Sequence, residues 1–203
     1  MSLRFSVWSP ELNLHLTRWR HFFTSATLAM LLSICSFGQQ SVFDLDGHSV
    51  NTFQSDGDKV GVMIFVRRDC PISGRYAPTI QRISAEHQKN VRFVLVFPDK
   101  SDSASEIRKY LRDFHYSIPA LRDPAHVLVK RAHAEFTPEA AVFDAKGGLV
   151  YHGRIDNLYV SFGRSRPAPT THELEDAIEA SLAGRSAAKT EVAGIGCYIS
   201  DLE

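Results

Sequence analysis

Long apolar runs, charge imbalance and paired metal ligands are all missing from this chain. The 203 residues carry 23 basic and 23 acidic side chains, a formal net charge of zero, so nothing in the balance points to nucleic acid or an acidic membrane surface as partner. The nine histidines are scattered, and no two have the close spacing of a metal site on one helix face. There is no glycine-rich phosphate loop, no serine-histidine-acid signature and no internal repeat, which removes the commoner nucleotide and hydrolase readings and leaves no motif for a bound cofactor. What remains is 44% hydrophobic and 23% charged, ordinary for one globular domain with a complete core.

Residues 1–38 differ from the rest. Arg18 and Arg20 precede an apolar stretch, Phe22 to Phe37, diluted by Thr24, Ser25, Thr27, Ser33 and Ser36; Ser36-Phe37-Gly38 offers small residues where a signal peptidase reads. The pattern is that of a secretory signal, shorter and more polar than the roughly 20 apolar residues of a membrane span. Cleavage is expected, with an uncleaved anchor as the alternative; Ile34 argues against a lipoprotein signal at Cys35. Removing 1–38 leaves 20 basic and 22 acidic residues, a charge of about −2 by the same count, and two cysteines, Cys70 and Cys197. An even pair in an exported protein invites a disulfide, though spacing alone does not say that the two meet.

Cys70 lies in the most informative stretch, GVMIFVRRDCPISGRYAPTI, residues 61–80. The run Val62 to Val66 reads as a buried strand. Beyond Cys70, Ile72, Tyr76, Ile80 and Ile83 recur at helical intervals, so the thiol stands where a strand hands over to a helix. Pro71 suits a first helical position and makes Cys70 a cap residue. A sulfur there meets the positive end of a helix dipole, with Arg67 and Arg68 close in sequence; both lower a thiol's pKa, and the thiolate is the reactive form. The bland alternative is a small buried hydrophobe, as most free cysteines are. The other charges around it, Asp69 and Arg75, read as solvated.

The mature chain continues as alternating elements. Asp46-Gly47 signals a hairpin within Ser41 to Phe53. Pro78 is expected to bend the helix that follows Cys70, and Val91 to Phe97 is a second buried strand. Ser103 with Glu106 forms a capping box ahead of Ile107, Tyr110, Leu111 and Phe114. Pro119 to Leu121 is briefly extended, and Asp123-Pro124 opens a short helix through Val127, Leu128 and Ala132. Ala140 to Phe143 and Leu149 to His152 form a hairpin across DAKGG, and 157–169 is a loop. Thr170 with Glu173 reads as another capping box, for a helix carrying Leu174, Ile178 and Leu182. Residues 184–196 are small and polar, a flexible linker by composition. The alternation predicts a layered α/β domain with a mixed sheet over 39–183, followed by a tail, 184–203, that carries Cys197.

This combination resembles the thioredoxin fold in its redoxin, thiol-disulfide oxidoreductase branch, over about Ser41 to Leu182. Cys70 at the strand-to-helix turn matches the family nucleophile. Ala77-Pro78 stands where thioredoxins carry a kinking proline, and Thr137-Pro138 is similar to the cis-proline loop that lies against the active-site sulfur. DCPISGRYAP and GIGCYIS also resemble bacterial proteins described only as redoxins. The resemblance implies a thioredoxin-like three-layer α/β fold with a central mixed sheet, an N-terminal hairpin and an inserted strand-helix. It further implies thiol chemistry at Cys70, a hydrogen bond from Ser73 to the thiolate, and a partner backbone set against Thr137 and Pro138.

The departures matter as much. Ser73 replaces the second cysteine of the thioredoxin Cys-x-x-Cys. Met63 and Arg67 stand where peroxiredoxins place proline and threonine, and Gly74 stands where copper-delivery proteins of the Sco type carry their second cysteine. The leading expectation is therefore an exported, periplasmic thiol-disulfide oxidoreductase with Cys70 as nucleophile and Cys197 as resolving cysteine, acting on protein or small thiols and disulfides, and touching a membrane only through an uncleaved N-terminus. The alternatives are a peroxidase, a redox-inactive or Cu(I)-holding binding module built on Cys70 and a histidine, and a permanent structural Cys70–Cys197 bond.

Overall fold

The computed structural model describes residues 42–50 and 59–200. The expected secretory signal over 1–38 lies outside the described residues. Among the described residues no helix is long and apolar enough to cross a membrane.

Among the described residues, twelve strands and four helices follow in order. The strands are β1 (Val42–Phe43), β2 (Ser49–Val50), β3 (Val60–Phe65), β4 (Val91–Phe97), β5 (Ala120–Arg122), β6 (Phe136–Thr137), β7 (Glu139–Phe143), β8 (Leu149–Gly153), β9 (Tyr159–Ser161), β10 (Arg164–Ser165), β11 (Glu191–Val192) and β12 (Cys197–Tyr198). The helices are α1 (Pro71–His87), α2 (Ala104–Asp113), α3 (Val127–Ala132) and α4 (Glu173–Leu182). The two apolar runs read as buried strands become parallel neighbours, β3 beside β4, with Val62 opposite Phe93 and Ile64 opposite Leu95. β5 extends the parallel set, while on the other side of β3 the strand β7 runs antiparallel to it and β8 antiparallel to β7. The main sheet has the order β11-β8-β7-β3-β4-β5-β1-β2, a mixed sheet with the β1–β2 hairpin at one edge.

Alternation along the strands divides the core in two, because successive side chains point to opposite faces. Val62, Ile64, Val66, Phe93 and Leu95 join Ile72, Tyr76, Ile80 and Ile83 of α1, Ile107 and Tyr110 of α2, and Leu174 and Ile178 of α4. Met63, Phe65, Val96 and Leu121 join Leu128, Val129 and Ala132 of α3 on the second face. A sheet covered on both faces gives the three layers. Each buried Ile or Leu contributes about 1.5–3 kcal/mol over its exposed state, so the four-residue stripe of α1 alone anchors that helix firmly.

Local signals were realised unevenly. The capping box at Ser103 and Glu106 forms in full. Asp123 accepts from the backbone N–H groups of Val127, Leu128 and Val129 at the start of α3. The capping box expected at Thr170 and Glu173 does not form: the residue ahead of α4 is His172, without a side-chain cap bond. A cation outbids the backbone, for the Glu173 carboxylate pairs with the Arg154 guanidinium and also accepts from the Thr171 hydroxyl. The loop 157–169 contains the small β9–β10 hairpin.

The largest difference from composition lies in the tail. β11 adds in parallel to β8 at the sheet edge, β12 pairs antiparallel with β6, and Ile199 is buried in the second core cluster, 2% exposed. Small polar side chains give no packing signal, yet backbone pairing to an open strand edge and one buried isoleucine hold the second half of the stretch read as a linker.

Candidate active site

β3 ends at Phe65, and the chain turns through Arg67-Arg68-Asp69 to place Cys70 at the cap of α1, with extended backbone (φ −85°, ψ 113°) and Pro71 in the first turn. The Cys70 N–H donates to the Arg67 carbonyl and its own carbonyl accepts from Gly74, each at 3.2 Å. This is the geometry the local sequence predicts. The side chain is 2% exposed, so Cys70 lies under cover.

Two segments cover it. The Thr137-Pro138 peptide is cis, and the Thr137 carbonyl oxygen is 3.1 Å from Cys70 Sγ. β12 lies beyond, with Cys197 paired opposite Thr137 and its carbonyl accepting from Thr137 Oγ1 at 3.3 Å. Residues 127 positions apart thus bring their sulfurs to 2.6 Å, both as free cysteines. Glycines permit this approach. A Cβ on Gly196 would collide with the Thr137 carbonyl oxygen, and one on Gly194 with the Glu139 carboxylate. Tyr198, 58% exposed, packs edge-on against Phe136 with ring centroids 5.7 Å apart.

The electrostatics assign different roles to the two thiols. Burial pushes the Cys70 thiol up, but hydrogen bonds from the Cys197 thiol, from the Ser73 N–H and hydroxyl, and from the Cys197 N–H prevail and leave it below the ordinary thiol value. The Ser73 N–H is one of the unpaired donors of the first helical turn, so the helix start contributes through a specific bond. The Thr137 carbonyl works the other way, since it can accept only from a protonated Cys70. Cys197 is pushed up to about 12 by burial, by its bond to Cys70 and by the charge on Cys70. Of the two, Cys70 is the thiol that ionises more readily and Cys197 the one that keeps its proton.

Arg67 and Arg68, expected to help lower Cys70, are engaged elsewhere. Arg67 Nε pairs with Asp69 and Asp99 at 3.0 and 3.2 Å; Arg68 pairs with Asp102 and Glu106 at 3.0 and 3.2 Å. Their sequence proximity gives way to closer carboxylates. Arg154 and Asp156 are structural: Arg154 is held by Glu173, and buried Asp156 accepts from the Tyr76 hydroxyl at 2.5 Å. Among the described residues no group of three or more histidine, cysteine or acidic side chains is placed to hold a metal ion.

The structure brings together Cys70, Ser73, Thr137, Pro138 and Cys197. One residue in the same assembly went unnoticed in the sequence. Glu139, directly after Pro138, is buried and accepts from the backbone N–H groups of Glu135, Phe136 and Gly194. Its signal was available: a lone carboxylate opening the otherwise apolar run Ala140 to Phe143.

No protein-family model and no curated protein matches the chain. Solved structures do. An uncharacterized conserved protein from Geobacillus kaustophilus aligns at a TM-score of 0.67 and 24% identity over 78% of this chain and 86% of that one. A hypothetical protein from Sinorhizobium meliloti 1021 also aligns at 0.67, with 21% identity over 78% and 88%. The exposed lipoprotein thioredoxin of Streptococcus pneumoniae strain TIGR4 aligns at 0.51, with 20% identity over 71% and 97%. Likeness at these identities speaks to the path of the backbone, and with the mixed sheet, the cysteine at a helix start and the cis-proline beside it, the chain has the thioredoxin-like fold.

Proposed function

We propose that the protein is an exported thiol-disulfide oxidoreductase in which Cys70 is the nucleophile and Cys197 the resolving cysteine. The observation that carries this reading is the meeting of the two sulfurs at 2.6 Å, one favoured as thiolate and the other held as thiol. The Cys70 thiolate attacks a substrate disulfide; one substrate sulfur leaves with its electron pair, and a mixed disulfide forms. That step removes the negative charge on Cys70, and with it one of the causes that keep Cys197 protonated. Cys197 then loses its proton, attacks Cys70 Sγ and expels the second substrate sulfur. The substrate gains two electrons and two protons, and the protein gains a Cys70–Cys197 bond. In reverse, the same steps deliver that bond to a dithiol.

Ser73 serves as a donor to the thiolate, while Thr137 and Pro138 form the wall against which the partner backbone lies. The N-terminal pattern of 1–38 supports export, as does the likeness of 71% of the chain to an exposed lipoprotein thioredoxin. Thiol trapping and intact-mass measurement test the reading. Unmodified protein treated with oxidised glutathione is expected to end with Cys70 and Cys197 joined, Cys197→Ser to stop as a glutathione adduct, and Cys70→Ser to form neither. Two unpaired cysteines that alkylate slowly near neutral pH in the unmodified protein would sink it.

A further inference from the structure

Glu139 connects the two segments that cover Cys70. It stands directly after the cis peptide Thr137-Pro138, opens β7, and is 4% exposed. One carboxylate oxygen accepts from the N–H groups of Glu135 and Phe136, at 2.7 and 3.2 Å, in the segment that leads into the cis-proline. The other accepts from the Gly194 N–H at 3.1 Å, three residues before Cys197. A buried carboxylate is costly unless hydrogen-bonded, and charge-assisted bonds are the strong ones. Satisfying this carboxylate therefore requires the tail to be in place. Gly194 complements it, having no Cβ to strike the carboxylate.

We infer that Glu139 is a positioning residue for the resolving step: its carboxylate latches the tail to the cis-proline strand, seats Cys197 against Cys70, and by the same contact keeps Cys70 covered until substrate arrives. The kinetic half of this inference rests on the oxidoreductase reading; the covering of Cys70 does not. The two halves carry opposite signs. Releasing the latch exposes Cys70 and speeds its first reaction, while it removes Cys197 from reach and slows the second. A residue that served only folding would impair both.

The test uses the full chain and two variants. Glu139→Gln keeps the volume but replaces one acceptor oxygen with an NH2 group that faces backbone N–H. Gly194→Ala leaves the Glu139 side chain chemically intact and adds a Cβ that collides with it, so the tail strand and the carboxylate are driven apart. Iodoacetamide labelling of Cys70, followed across pH, and single-turnover reaction with oxidised glutathione, followed by intact mass, supply the two readouts. Losing one bond to a charged group corresponds to roughly ten- to hundredfold. In both variants the plateau rate of Cys70 labelling is expected to rise by about tenfold or more, and the Cys70–glutathione adduct to persist longer by a similar factor. An unchanged labelling plateau, or slowing of both steps, overturns the inference. Should Glu139→Gln not fold, Gly194→Ala carries both readouts. If unmodified protein forms no glutathione adduct, the oxidoreductase reading fails, and labelling alone decides whether the latch covers Cys70.

Discussion

Cys70 and Cys197 occupy opposite kinds of structure. Cys70 is set by its neighbours: a strand of the core delivers it, Pro71 starts the helix behind it, and Ser73 donates to it from the first turn. Cys197 is set by distant residues, through Thr137 across a two-residue strand pair, Glu139 at Gly194, β8 along β11 and the pocket around Ile199. Their proton affinities diverge accordingly, Cys70 below the ordinary thiol value and Cys197 up to about 12. A nucleophile can be built into a rigid element from local sequence, whereas a thiol that must wait and then attack is held by contacts that can be released one at a time.

The contrast can be broken at either cysteine. The largest expected effect is that of Cys70→Ser, which should reduce insulin-disulfide reduction to background and leave no internal bond, because the nucleophile is gone and Cys197 has no partner thiol among the described residues. Next is Ile199→Ala. Removing a buried isoleucine costs about 2–5 kcal/mol in a rigid core, but the tail can lift locally, so the loss should appear chiefly as faster alkylation of Cys197, with less change in global unfolding.

Ser73→Ala sharpens the comparison from the helix side. Removing a donor to a charged group costs about 1.5–3 kcal/mol, roughly one to two pH units in the midpoint of Cys70 alkylation, shifted upward. The sign follows from linkage. The folded Cys70 pKa lies below its unfolded value, so its thiolate contributes stability that is present above the unfolded thiol pKa and lost as pH falls through the folded one. Cys197 is the reverse: its protonated form contributes stability below the unfolded thiol pKa, and that is lost as pH rises toward about 12. Denaturant midpoints measured against pH should show both slopes in the unmodified protein. The smallest effect is expected of Thr137→Val, which keeps shape and removes one neutral bond to the Cys197 carbonyl; about 0.5–1.5 kcal/mol, or a few-fold slower closure of the internal bond, is the expected scale in stopped-flow measurements.

The same division explains what could be read from the chain before its structure. β3, β4, α1 and the Ser103 cap follow from periodicity and local chemistry, and they appear where the residues put them. The Thr170–Glu173 cap fails because Arg154, nineteen residues from Glu173 in sequence, competes for the carboxylate. Arg67 and Arg68 looked like activators because they are adjacent to the thiol, but Asp99, Asp102 and Glu106 converge on them only after folding. The tail was the hardest to read. Its order comes from backbone edges and glycine close approach, neither of which leaves a hydrophobic pattern, so Glu139 and Gly194 acquire meaning only once they face each other.

The most direct test of the account is single-turnover reaction of the reduced protein with oxidised glutathione, quenched over time and mapped by peptide mass. Glutathione is expected first on Cys70, never on Cys197, and this adduct is expected to decay as the Cys70–Cys197 bond forms. Glutathione found first on Cys197, or an adduct on Cys70 that persists while Cys197 remains a free thiol, would contradict it.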